Sequence, residues 1–555
     1  MDNKPLLKVE KLLVSSRKEE DTISILKGVD FELYSGEILG IVGESGSGKT
    51  MSALSIMGLL PNGVQVDGGL VQLGTSPDNL LNASADQLRK IRGLRIGMIF
   101  QNPMSALNPV IRCGAQISEV LRFHLGKSKS QASQEAKSWM EKLGLKEIER
   151  IYQSFPHELS GGQQQRIMLA MAMCCQPEIL IADEPTTALD ATVQRKILDL
   201  LSWTREQFKT AILLISHDLS LVAEIADRVL VMRHGEILES ASAKSIFDRP
   251  QHAYTKGLIN CRPKIGLYQY RLPTLEHPEP ILKNPNPPHL DQIQDKKPLL
   301  KVEQLVVDYF SKGLFRTKKK RAVDQVSFEI FKGETLGLVG ESGSGKTTLG
   351  KTILGLKEAS SGMITFDEQN QGEIPKPKAF HQKVQMIFQN PMEALNPRLP
   401  IGSAILEPIR IHELVKGKNN QVEKVVELLE QVGLSPDDYT KYPQAFSGGQ
   451  RQRVGIARAL AMNPEFIVCD EIVSALDVSI QAQILNLLKD LQEQYQLTYL
   501  FIAHDLSVVQ FMSQKILVMQ EGKIVEEGKT KAIYENPQHD YTKTLLAAIP
   551  AALKY

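Results

Sequence analysis

One eight-residue glycine-rich string occurs twice in this 555-residue chain, as Gly43-Glu44-Ser45-Gly46-Ser47-Gly48-Lys49-Thr50 and as Gly340-Glu341-Ser342-Gly343-Ser344-Gly345-Lys346-Thr347. The same ordered series follows each copy. After the first come Gln101, Ser160-Gly161-Gly162-Gln163, Asp183-Glu184 and His217; after the second come Gln389, Ser447-Gly448-Gly449-Gln450, Asp470-Glu471 and His504. Self-similarity on this scale requires two copies of one folding unit. The paired lysines lie 297 residues apart and the glutamines 288, while the later serines, aspartates and histidines all keep an offset of 287. The surplus of the first copy is expected around Val64 to Arg95, as a polar surface excursion rich in Gly, Asn, Ser and Asp.

Two units of roughly 250 residues are each large enough to bury a core. With 65 basic and 64 acidic residues the net charge is +1, which gives no general attraction to nucleic acid or to an anionic membrane. The five cysteines, Cys113, Cys174, Cys175, Cys261 and Cys469, form no C-x-x-C pair, so they read as small buried hydrophobes. The N-terminus has no basic-then-apolar leader, and no apolar run reaches the roughly 18 residues needed to span a bilayer. Any work at a membrane is therefore expected to use separate subunits.

The strings Leu6-Leu7-Lys8-Val9-Glu10 and Leu299-Leu300-Lys301-Val302-Glu303 open the two halves. Between them, from Arg262 to Pro298, prolines recur at 263, 273, 278, 280, 285, 287, 288 and 298, which predicts an extended, polyproline-like linker. Apolar runs at Ile38–Val42, Ile179–Ala182 and Ala211–Ile215 read as buried parallel strands alternating with helices. The stretch from Gly114 to Glu158 reads as a helical insertion, with helical patterns around Ile117–Phe123 and Gln134–Leu143. The basic run Lys318-Lys319-Lys320-Arg321 reads as a solvated loop ahead of a strand.

A glycine loop between a strand and a helix can turn its N–H groups inward, and the helix start adds its positive end, so the loop suits phosphate. Lys49 and Lys346 would neutralise β and γ phosphates, and Thr50 and Thr347 would each offer Mg²⁺ a hydroxyl. Asp183 and Asp470 end apolar strands, where a carboxylate can reach the magnesium or its water shell, and Glu184 and Glu471 point to the hydrolytic water. Each Ser-Gly-Gly-Gln segment leads into a helix and favours an anion.

With these motifs in place the chain resembles the ATP-binding-cassette (ABC) ATPases, whose signature is the serine-glycine-glycine-glutamine segment; the resemblance covers nearly all of both halves. It implies an α/β fold of two tandem P-loop ABC ATPase domains, each a RecA-like α/β core with an antiparallel β subdomain and a helical subdomain. The expected boundaries are 5–261 for the first domain with its tail, 262–297 for the linker and 298–552 for the second domain with its tail. The resemblance further implies two ATP molecules sandwiched between head-to-tail domains, with Mg²⁺. One site would combine Lys49, Thr50, Gln101, Asp183, Glu184 and His217 with Ser447-Gly448-Gly449-Gln450. The other would combine Lys346, Thr347, Gln389, Asp470, Glu471 and His504 with Ser160-Gly161-Gly162-Gln163. Asp190 and Asp477 match the loop linking the sites, the histidines would sense the γ phosphate, and the glutamines would touch metal or water and couple to a membrane subunit. Tyr309 falls where the family stacks an aromatic ring on adenine, but the first half has Ser16 there. Pro185 follows the first glutamate and Ile472 the second, and activity is expected to survive that exchange.

The wording around the motifs is most similar to the fused two-cassette subunits of bacterial oligopeptide, dipeptide and nickel importers. It includes Phe388-Gln389-Asn390-Pro391, Leu395-Asn396-Pro397-Arg398 and the tails His252-Ala253-Tyr254-Thr255 and His539-Asp540-Tyr541-Thr542, which lack the proline of the family's histidine-proline-tyrosine-threonine element. That similarity implies two transmembrane permease subunits, an extracytoplasmic substrate-binding protein acting through them, and a peripheral position on the cytoplasmic face of a bacterial inner membrane. No iron-sulfur cluster is expected, since only Cys261 lies in a tail. The alternative, a soluble two-cassette translation factor on ribosomes, is disfavoured by the proline-rich linker and near-zero charge; no nucleic-acid partner is expected.

Overall fold

The computed structural model describes residues 4–18, 21–187, 189–279, 281, 297–312, 317–370, 377–474 and 476–550. The expected polyproline character of the linker over 282–296 falls outside these residues, as does the end of the second domain past 550. The chain divides into two compact units, one running to Ile259 and the other beginning at Asn260.

In the first unit the strands are β1 (Leu7–Lys18), β2 (Asp21–Leu33), β3 (Ile38–Val42), β4 (Val64–Leu73), β5 (Ile96–Ile99), β6 (Ile179–Asp183), β7 (Ala211–Ser216), β8 (Arg228–Arg233) and β9 (Glu236–Ser242). They form a three-stranded antiparallel sheet, β2-β1-β4, and a six-stranded sheet, β5-β6-β7-β3-β8-β9. The latter is parallel except for β9. Every residue of β3, β6 and β7 is buried, which explains why these strands read as unbroken apolar runs: a parallel sheet covered on both faces has no polar side to alternate with. Val9, Leu26, Phe31 and Val71 of the antiparallel sheet share one apolar cluster with Leu39, Ile41, Ile181 and Leu213 of the parallel one, so the two sheets pack as layers of a single core.

The second unit repeats this plan with β10 (Leu300–Lys312), β11 (Thr317–Ile330), β12 (Thr335–Val339), β13 (Ser361–Phe366), β14 (Gln369–Asn370), β15 (Val384–Ile387), β16 (Phe466–Asp470), β17 (Thr498–Ile502), β18 (Lys515–Gln520) and β19 (Lys523–Lys529). Its sheets run β11-β10-β13-β14 and β15-β16-β17-β12-β18-β19. The expected helical insertion is present in the first unit as helices Cys113–Leu125, Lys129–Lys142 and Ile148–Gln153. Trp139, 1% exposed, packs its ring 5.4 Å from that of Phe208, tying the insertion to the long helix Ala191–Phe208.

Three expectations need correction. The excursion expected from Val64 to Arg95 is not all surface loop: its first ten residues are strand β4, against six in the counterpart β13. Gly68 and Gly69 disguise it. Gly69 has φ +117°, and a Cβ there would meet Leu12 Cα at 2.8 Å, so the glycine marks a bulge in a paired strand. The basic run is also not a loop. It lies in β11, where Lys319 (3.0 Å) and Arg321 (3.2 Å) bind the carboxylate of Asp308 on the paired strand β10. Finally, the stretch expected to be extended linker begins as part of the second unit. Cys261 and Leu272 join that unit's apolar cluster, and Asn486 exchanges two 2.8 Å hydrogen bonds with the Leu272 backbone. Arg271 binds Asp490 (2.7 Å) and Glu493 (3.0 Å), and Arg262 binds Asp505 (3.0 Å). Proline content does not stop a chain from docking when its intervening residues find a helix face with matching charge.

Candidate functional site

Four neighbouring strands, β5, β6, β7 and β3, deliver the motif residues of the first unit from their carboxyl ends, where open α/β sheets bind ligands. Gln101 follows β5, Asp183 ends β6, His217 follows β7, and the glycine loop follows β3. The second unit delivers Gln389, Asp470, His504 and Gly340 from β15, β16, β17 and β12 in the same order.

The loop's glycines are required by the backbone at two points. Gly43 has φ +155°, and a Cβ would come within 2.1 Å of the Met232 carbonyl; Gly48, at φ +103°, would press a Cβ to 2.6 Å from Leu26. Lys49, 4% exposed, donates to the carbonyls of Gly43 (2.7 Å) and Glu44 (2.8 Å) and to Ser47 Oγ (3.3 Å). Lys346 donates to those of Gly340 (2.7 Å) and Glu341 (3.0 Å). The ammonium is thus held over the mouth of the loop, with helix Lys49–Met57 or Lys346–Ile353 starting behind it.

Thr50 Oγ1 donates to Asp183 Oδ1 at 3.2 Å, and Thr347 to Asp470 at 3.0 Å. Burial pushes both aspartates up to about 6, an effect only partly offset by the threonine hydroxyls. A desolvated carboxylate beside a hydroxyl is the kind of hard-oxygen donor pair that Mg²⁺ accepts while keeping waters and phosphate oxygens. The residues present fit that ion.

Glu184 and Glu471 occupy the left-handed region at φ 46° and 47°, each with its N–H donated at 2.9 Å to the next strand, to Ile215 or Ile502. Such strain in a non-glycine residue is held only by surrounding structure. Pro185 and Ile472 leave this conformation alike. Glu184 Oε2 accepts from Gln101 (2.7 Å) and Thr187 (2.9 Å) and lies 3.4 Å from His217 Nδ1. Glu471 Oε2 accepts from Gln389 (2.8 Å) and lies 3.6 Å from His504 Nδ1. Burial works to raise Glu184, but His217, Thr187 and Lys49 outweigh it and hold it down at about 2. Burial likewise opposes ionisation of Glu471, and His504 and Lys346 again prevail and lower it. Both glutamates are therefore ionised acceptors near neutral pH.

The glutamines expected near metal reach the glutamates here, not the threonine–aspartate pairs. Thr187 was not singled out from sequence. Its counterpart Ser474 turns instead to the Glu471 carbonyl (2.8 Å), so the two carboxylates are held differently. A hydroxyl three residues after the glutamate that follows each strand end is the sequence signal for Thr187 and Ser474.

The signature segments are hydrogen-bonded within themselves. Ser160 and Gln163 bond to each other as a capping box at the start of helix Gly161–Met173, and Ser447 and Gln450 do the same for helix Gly448–Leu460. Their second glycines serve packing as well: a Cβ at Gly162 would meet Val193 Cγ1 at 2.7 Å, and one at Gly449 would meet Ile480 Cγ2 at 2.3 Å. Gly449→Ala is therefore expected to cost about 1–3 kcal/mol by overpacking. Gly448→Ala, whose Cβ finds Leu476 at an ordinary 3.6 Å, should be near neutral. Thermal melting of the two variants separates these outcomes. Asp190 caps helix Ala191–Phe208 by accepting from Val193 N–H (2.9 Å) and Thr192 (2.8 Å), and Asp477 sits at the corresponding start of helix Val478–Tyr495. Tyr309 is 42% exposed, with Lys357 Nζ 4.6 Å from its ring centre.

A phosphate cradle at a helix start, a hard-oxygen pair and an ionised, strained glutamate at adjacent strand ends define a P-loop nucleotide hydrolase, present here twice. The ABC transporter family matches residues 26–187 and 323–474, and the family described as "Oligopeptide/dipeptide transporter, C-terminal region" matches 238–287 and 525–554. The chain belongs to the ABC transporter family, and it is an ATPase working with ATP and Mg²⁺. Among its relatives is the glutathione import ATP-binding protein GsiA of Escherichia coli O6:H1, 46% identical over 568 residues that cover 100% of this chain and 90% of the relative. GsiA of Shigella dysenteriae serotype 1 is 46% identical over 572 residues with the same coverage, and that of Escherichia coli K12 is 45% identical over 568.

Proposed function

We propose that this chain is the ATP-hydrolysing subunit that energises import of peptides or related small solutes through two separate membrane permeases. A substrate-binding protein on the far side of the membrane would deliver the cargo. The observation that carries this reading is the pairing of two complete phosphate sites with two tails matched to the oligopeptide/dipeptide transporter C-terminal region. Di- and oligopeptides, glutathione-like molecules and nickel are the cargo classes it covers, and the relatives named for glutathione import favour a short peptide. Among the described residues no helix is long and apolar enough to cross a membrane, which suits a peripheral subunit on the cytoplasmic face.

In this proposal residues 5–261 and 298–552 are the two nucleotide-binding domains. Lys49 and Lys346 bind phosphate, Thr50 with Asp183 and Thr347 with Asp470 hold the metal, and Gln101 and Gln389 hold the glutamates beside it. Mg²⁺, when bound, neutralises phosphate charge. Glu184 and Glu471 orient the attacking water and take its proton, while His217 and His504 keep each carboxylate ionised and aimed. Ser160–Gln163 and Ser447–Gln450 close over the opposite nucleotide, and Asp190 and Asp477 link the sites. Closure on ATP and reopening after hydrolysis would drive the permeases between their two states.

Affinity purification through a tag on this chain tests the assignment: two permeases and a binding protein should accompany it, and a co-purifying ribosome would overturn it. The adenine contact is tested separately. Tyr309→Ala should weaken ATP binding at the Lys346 site by roughly fivefold or more, the loss of one base–aromatic stack. Unchanged binding of a fluorescent ATP in a Lys49→Ala background would remove Tyr309 from the site.

A further inference from the structure

The second residue of each phosphate loop is held from both sides. The backbone N–H of Glu44 donates to the phenol oxygen of Tyr254 at 3.2 Å, and that of Glu341 to Tyr541 at 2.9 Å, across 210 and 200 residues of sequence. The carbonyls of the same two residues accept from Lys49 Nζ (2.8 Å) and Lys346 Nζ (3.0 Å). The carbonyls of Gly43 and Gly340, which share a peptide unit with those N–H groups, accept from the same ammoniums at 2.7 Å each, so one peptide unit connects a tail tyrosine to the ammonium that meets phosphate.

The tails are built to aim that hydroxyl. Glu239 accepts from the N–H groups of Gln251 (2.8 Å) and His252 (3.0 Å), and His252 Nδ1 accepts from Tyr254 N–H (3.1 Å), fixing the start of helix Ala253–Asn260. Glu526, Gln538, His539 and Tyr541 repeat the arrangement at 2.8, 3.0 and 3.2 Å. The tail histidine is thus spent as a helix cap. In the first unit Tyr254 is 3% exposed, with the Arg233 guanidinium 4.6 Å from its ring centre; Gln520 occupies the corresponding place in the second.

We infer that Tyr254 and Tyr541 are positioning residues for the phosphate-binding lysines, so that each C-terminal tail sets the nucleotide affinity of its own cassette. The hydroxyl fixes the Gly43–Glu44 or Gly340–Glu341 peptide plane, the glycine carbonyl of that plane directs the ammonium, and movement of the tail is transmitted to phosphate. This rests on the assignment of the two loops as ATP sites.

The test is the full-length chain carrying Tyr254→Phe and Tyr541→Phe, which keeps both rings and removes only the hydroxyls. The dissociation constant and KM for Mg-ATP should rise about fivefold, the usual effect of one hydrogen bond, with kcat within about twofold. Amide hydrogen exchange at Glu44 and Glu341 should accelerate in the nucleotide-free variant, while its melting temperature stays that of the wild type. Unchanged affinity and unchanged exchange at these amides would overturn the inference, as would a fall in kcat at constant KM. Wild-type chain that binds no ATP would instead overturn the loop assignment itself.

Discussion

The double variant Glu184→Gln with Glu471→Gln retains ATP and loses turnover by about 100-fold or more. Each glutamate is ionised, with Glu184 buried just past the end of β6 and Glu471 half-buried just past the end of β16, and each is fixed in a left-handed conformation by a 2.9 Å hydrogen bond from its own N–H. Its Oε2 gathers Gln101, Thr187 and His217 in one unit and Gln389 and His504 in the other, so the carboxylate cannot wander. An amide fills the same volume and keeps acceptor capacity on one side, but it cannot take a proton from water. General-base catalysis contributes typically 10²–10⁴-fold, which sets the expected loss. Phosphate release with radiolabelled ATP measures turnover, and retention of unhydrolysed nucleotide on the purified protein measures trapping. Turnover within tenfold of wild type would remove these glutamates from the base role.

Removing both loop lysines, Lys49→Ala with Lys346→Ala, abolishes tight nucleotide binding. Each ammonium is 4% exposed, and each satisfies two loop carbonyls at 2.7–3.0 Å. Truncation removes a charge that would face the phosphates and also strips those carbonyls of a donor, so the empty loop loses the shape that receives phosphate. Hydrogen bonds to a charged partner contribute about 1.5–3 kcal/mol each, so affinity should fall roughly 10- to 100-fold at each site. Equilibrium titration with a fluorescent ATP reads the loss site by site when the lysines are changed singly. Arginine in place of lysine should not restore binding, because its wider planar fork cannot sit between the Gly43 and Glu44 carbonyls as a compact ammonium does.

Much of this site was readable before any coordinates. The glycine loops, the strand-ending aspartates and glutamates, the capping serines and the lone histidines sit in short contiguous strings whose local structure follows from residue type: glycine where φ is positive, apolar runs where a parallel strand is buried, serine three residues before glutamine at a helix start. Reading failed where local composition and tertiary context disagreed. Gly68-Gly69 looks like a loop but is a bulge in β4; Lys319 and Arg321 look like loop residues but lie, still exposed, in β11 and pair with Asp308; residues 262–272 look like free linker but dock on the second unit.

The sequence alone determined that there are two cassettes and which motif strings each one carries, because repeats and motifs are properties of the linear chain. Only the tertiary structure decided what each of those residues touches. The sheet order β5-β6-β7-β3 carries Gln101 to Glu184 across 83 residues, and a tail helix carries Tyr254 to Glu44 across 210. Hydrogen bonds made at that separation depend on which strands become neighbours, and that choice belongs to the packed core as a whole rather than to any segment of the chain.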